Sequence, residues 1–171
     1  MSARAMQFLV AGDDALVPLG DDDEPVQPAA NRLVPWPRWL ALRASWPDGV
    51  PASVALGNDL DVGELLADLP RLGRIALHFP KWTDGRAYSQ ARLLRVRHRF
   101  AGELRAIGDV IPDMAAQLHR TGFDLAVLRA GESVAVAQRM LDLIPAFYQA
   151  DAHEPRPRFA REASSASVPA P

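Results

Sequence analysis

Between residues 53 and 128 the chain repeats one rhythm: a short apolar run, then a longer segment whose apolar positions recur every three or four residues. The runs at 53–57, 74–79, 103–107 and 123–128 have the length and apolar content of strands, and 53–57 reads as a buried one. The segments at 62–69, 86–99, 112–121 and 133–148 carry the helical period, and 36–45 adds a helix before the first run. In 86–99 the inward positions are Tyr88, Ala91, Leu94 and His98. Punctuation agrees with this division. Pro37 and Pro112 suit first helical turns, Pro70 and Pro80 stop what precedes them, and Gly122 suits a left-handed helix stop. Pro145 predicts a kink in the last helix.

Alternating strands and helices with short connections predict an α/β domain. Its sheet is mainly parallel, with four to five strands joined by βαβ crossovers, in an open or partial-barrel form. A full eightfold barrel needs about 200 residues or more. An edge strand falls at 8–10 or at 15–19. On this reading residues 1–29 are an N-terminal segment with that edge strand and an acidic loop, Asp21-Asp22-Asp23-Glu24. Residues 30–149 are the α/β domain, and residues 150–171 are a Pro-, Ser- and Ala-rich disordered tail.

Composition narrows the chemistry. The chain has 171 residues, no cysteine and a formal charge of −2. It can therefore form no disulfide, thiolate nucleophile or cysteine-ligated metal centre. The four histidines, His78, His98, His119 and His153, lie too far apart in sequence for a paired ligand motif, and no metal is expected. Glycine-rich phosphate loops and the GxSxG elbow are absent from the sequence. Any cofactor stays open, since redox chemistry through a bound cofactor or a partner needs no cysteine. The apolar run at the N-terminus is too short for a signal peptide, and the expected location is the cytoplasm. Neither nucleic acid nor membrane is expected as a partner.

In parallel sheets, ligands bind beyond the carboxyl ends of the strands. The residues following the strands are Asn58 and Asp59, then Lys81, Asp84 and Arg86, then Gly108 and Asp109, then Arg129. Thr83-Asp84-Gly85-Arg86 is the most specific segment. Thr83 or Asp84 can cap the next helix, while Arg86 stands at a helix start that favours anions. Asp84 and Asp109 are the candidate acid–base pair, although each also serves as a helix-start acid. Lys81, Arg86 and Arg105 are the candidate anion ligands, with the direction of Arg105 open because it lies inside a strand. Arg92, Arg95 and Arg99 share a helix face, and Arg92 and Arg95 form a candidate docking surface for an acidic partner. Trp82 sits at the same mouth and can stack on a ligand. His78 reads either as a core histidine or as a group reaching the rim.

Residues 79–95, FPKWTDGRAYSQARLLR, together with 102–110, GELRAIGDV, Asp113 and 120–124, RTGFD, resemble the motifs of DUF934, a bacterial family of unknown function. The resemblance spans roughly residues 30–149. It implies an α/β protein encoded near sulfite reductase and phosphoadenylyl-sulfate reductase genes, whence the label probable oxidoreductase. It transfers no catalytic residue. Thr121 stands where many relatives carry cysteine, so a mechanism needing that thiol is closed to this chain.

The leading expectation is an accessory protein of assimilatory sulfate or sulfite reduction, binding an anionic intermediate, the sulfite reductase or the phosphoadenylyl-sulfate reductase. One rival is a small enzyme in which Asp84 or Asp109 transfers protons. The other is an interaction scaffold without a small ligand.

Overall fold

A computed structural model describes residues 5–19, 28–29, 31–143 and 147–160. The acidic run 21–24, Pro145 and residues 161–171 lie outside them. Seven strands, β1 (Gln7–Val10), β2 (Val17–Pro18), β3 (Arg32–Pro35), β4 (Ala52–Leu56), β5 (Leu72–Phe79), β6 (Glu103–Gly108) and β7 (Leu125–Leu128), form one sheet in the order β1-β7-β6-β5-β4-β3-β2. Every neighbouring pair is parallel. The helices are α1 (Trp36–Leu42), α2 (Arg86–Arg92), α3 (Ala115–Thr121) and α4 (Val134–Asp142). Among the described residues no helix is long and apolar enough to cross a membrane.

The α/β class and the parallel sheet are as expected, but the strands number seven rather than four to five. Both candidate edge strands exist, and they occupy opposite edges. The strand with no counterpart in the sequence reading, β3, is four residues long and runs directly into α1 through Pro35. Its apolar run is only Leu33-Val34, bracketed by Arg32 and Pro35. Segment 62–69 forms 3₁₀ turns, Val62–Leu65 and Leu69–Arg71, rather than a helix.

The connection between β1 and β2 dictates curvature. Laid flat, seven strands about 4.8 Å apart would separate the edges by about 29 Å. Residues 11–16 alone join those edges, and seven extended steps reach only about 25 Å. The sheet therefore curls into a half-barrel. Because β1 and β2 run in the same direction, the linking segment returns down the concave side. Leu16 packs there with Leu33 and Ala76, flanked by Ala55 and Ile107.

The convex side carries the main core. Ile75, Leu77 and Phe79 of β5 and Leu104 and Ala106 of β6 are sealed under Ala87, Ala91, Leu94 and Leu118. Side-chain alternation along each strand produces these two faces. Gly122 ends α3 at φ +102°, the left-handed stop that its position implied. Beyond α4, residues from the stretch expected to be a disordered tail dock onto α3. The Ala152 amide donates to the Arg120 carbonyl at 2.9 Å, and the His153 ring stacks on His119 at 4.3 Å.

Candidate functional site at the carboxyl rim

Parallel pairing delivers the carboxyl ends of β4, β5, β6 and β7 to one rim. The loop after β5 is its centre. The Asp84 amide donates to the Lys81 carbonyl at 2.9 Å, folding the loop back before α2. The Asp84 carboxylate then accepts the Arg86 amide at 3.2 Å and the Arg86 guanidinium at 3.0 and 2.7 Å. Gly85 is the cap residue itself, without a side-chain cap bond. Gln90 ties α2 to the loop after β4, donating to the carbonyls of Gly57 and Leu60 at 2.9 Å each.

Asp109 joins three strand ends. One carboxylate oxygen accepts the Trp82 amide at 3.0 Å, and the other accepts Arg129 at 2.9 Å. Arg129 also holds Glu132 at 2.9 Å. Just before Asp109, Gly108 adopts φ +96°. A Cβ there would meet the Phe79 carbonyl at 2.4 Å and the His78 ring at 2.8 Å, so only glycine fits. The exposed His78 ring thus lies against Gly108 at the rim.

Electrostatics follow from these contacts. The Arg86 side chain and amide, helped by Asn58, hold the Asp84 carboxyl far below the usual carboxylate range. The Trp82 amide and then Arg129 hold Asp109 below that range as well. The Arg86 and Arg129 guanidiniums are correspondingly pushed up by their acids. Both carboxylates remain ionised at neutral pH and already carry donors, which makes them weak proton acceptors.

The rim therefore gathers Asp84, Arg86, Asp109 and Lys81, as the strand ends implied. Two ion pairs divide its charges: Arg86 pairs with Asp84, while Asp109 takes Arg129. Lys81 is exposed, and Trp82 stands 52% exposed beside it. Arg105 lies elsewhere. It is buried on the concave side of β6, held by Asp14 and Glu103. Asp14 escaped the sequence reading because 91 residues separate it from Arg105.

The three helix arginines do not share a face. After Arg92, α2 widens into a π turn, Leu93–Arg97, which breaks the helical period. Arg92 stays exposed, whereas Arg95 turns inward to the carbonyls of Gly122, Phe100 and Gly102 and to the Asp124 carboxylate. Thr121 is buried and donates its hydroxyl to the carbonyls of Gln117 and Leu118.

Comparison with curated proteins finds no match to the chain. The model of DUF934, described as a bacterial protein of unknown function, matches residues 53–159, from within β4 to beyond α4. With well over half of its length matched, including the whole carboxyl rim after β4, the chain belongs to DUF934.

Proposed function

We propose that the chain is an accessory protein of assimilatory sulfate or sulfite reduction, binding an anionic intermediate or the sulfite reductase through the carboxyl rim. The observation that carries the binding reading is the state of the two rim acids. Asp84 and Asp109 are each neutralised by an arginine and a backbone amide, so they build the loop rather than accept protons. That arrangement disfavours acid–base catalysis and leaves Lys81, Trp82 and the outer edges of Arg86 and Arg129 to meet a ligand. The pathway part rests on the gene neighbourhood that the family resemblance implies. Arg92, exposed on α2, is the helix cation open to an acidic reductase.

Gene deletion tests the pathway. The deleted strain is expected to fail on sulfate and to grow on sulfide or cysteine, with growth on sulfite locating the step. Normal growth on sulfate, with no duplicate gene, overturns the assignment. Calorimetry tests the rim: sulfite binding that weakens in Lys81→Ala and Arg86→Ala supports it, and no binding at millimolar sulfite removes it.

A further inference from the structure

A second polar cleft lies away from the rim, between α2 and α3, roofed by residues 149–151. It encloses about 290 Å³ and is lined by Tyr88, Ser89 and Arg92 from α2 and by Gln117, Arg120 and Thr121 from α3. That volume is at the small end for ligand sites, which run from about 300 Å³ upward.

The two arginines distinguish this cleft. Arg95 and Arg105, similarly removed from water, are tied to carboxylates. Arg120 is half-buried with its guanidinium stacked over the Phe147 ring at 4.1 Å, and its Nε is buried with no hydrogen-bond partner. A buried donor without an acceptor is destabilising, so the site favours a group that supplies one. Neither Arg92 nor Arg120 has an acidic partner among the described residues. The nearest carboxylate at the cleft, Asp151, turns one oxygen to the amides of His153 and Glu154 at 2.9 and 2.8 Å. The remaining lining offers donors. The Ser89 hydroxyl is exposed, and burial pushes the Tyr88 phenol up to about 12, which keeps its proton in place. Two guanidiniums on facing helices suit a group with several oxygens that can bridge them, because each fork addresses an oxygen pair.

We propose that this cleft binds a small ligand through a tetrahedral oxyanion, of the phosphate or sulfate class, held between Arg92 and Arg120. The proposal is independent of the rim reading.

Amide chemical shifts of the ¹⁵N-labelled full chain, titrated separately with inorganic phosphate and inorganic sulfate at constant ionic strength, test it. Saturable shifts are expected at Ser89, Gln117 and Thr121, and whichever anion binds more tightly names the class. Arg92→Gln and Arg120→Gln are each expected to weaken binding about ten-fold or more, while Arg97→Gln, exposed and outside the cleft, leaves it unchanged. Because Arg120 packs on Phe147, the exposed Arg92 variant keeps the test decisive even if Arg120→Gln disturbs the fold. The proposal is overturned by no saturable shift at about 20 mM of either anion. It is equally overturned by Arg92→Gln binding as the unmodified chain does, or by shifts confined to Trp82 and Asp109.

Discussion

Two arginine–aspartate pairs, whose arginines are nine residues apart, hold opposite places in this molecule. Arg95 and Asp124 meet beneath the amino ends of β6 and β7, with 15% and 13% of their side chains exposed. Arg86 and Asp84 meet at the carboxyl rim, with 59% and 23% exposed. At the amino end the guanidinium also satisfies three carbonyls, and the Asp124 carboxylate accepts the Leu104 amide at 2.8 Å. Removing one partner would strand a charge away from water. At the rim, water screens the pair and replaces either partner at little cost. The same chemistry is thus a buried clamp in one place and a solvated pair in the other, and burial makes the difference.

The comparison breaks most visibly at Arg95. Arg95→Ala should cost about 3–5 kcal/mol, the usual loss when a buried ion pair is left half-made. Urea unfolding measures it, and a loss below about 1 kcal/mol would show that water reaches Asp124.

The concave side gives the next effect. Asp14→Ala removes a charged partner from buried Arg105, which keeps Glu103. A loss of about 1.5–3 kcal/mol is expected in the same assay. Gly122→Ala follows at about 1–2 kcal/mol, because φ +102° is strained for any side chain and the new Cβ would crowd Arg95 Cγ at 2.4 Å.

A smaller effect comes from pH. Burial, then the neighbouring His153, holds His119 below its ordinary value of 6.5, with Asp151 opposing. The unfolded chain binds this proton more readily, so stability is full above pH 6.5 and declines as pH falls toward the folded value. His119→Gln should flatten that part of the urea midpoint-against-pH curve, and an unchanged slope would assign it to other groups.

The smallest stability effect belongs to the rim. Asp84→Asn and Arg86→Ala should leave the urea midpoint unchanged, since both groups are solvated. Arg86→Ala should nevertheless weaken sulfite binding in calorimetry. A large loss of stability there would place the rim pair with the structural clamps.

Much of the architecture was legible before any coordinates. The strands β4 to β7, the helix starts and the stop at Gly122 follow from short-range apolar spacing and from the backbone limits of proline and glycine. The rim membership of Lys81, Asp84, Arg86 and Asp109 follows from one further step: parallel strands place all their carboxyl ends together. β3 escaped because Arg32 and Pro35 bracket only two apolar residues and Pro35 leads straight into α1. The placement of Arg95 escaped because a single π turn shifts the helix face after Arg92.

The sequence by itself determined the strands β4 to β7, the helices α1 to α4 and which side chains follow each of those strands, because these depend on neighbours a few residues apart. Only the tertiary structure decided that β1 and β2 close a seven-stranded half-barrel, because that depends on a short connection spanning opposite edges. It alone paired Arg105 with Asp14 across 91 residues, Asp109 with Arg129, and Arg95 with Asp124. A charged side chain carries no sequence mark of its partner. Burial and distance choose it after the chain has folded.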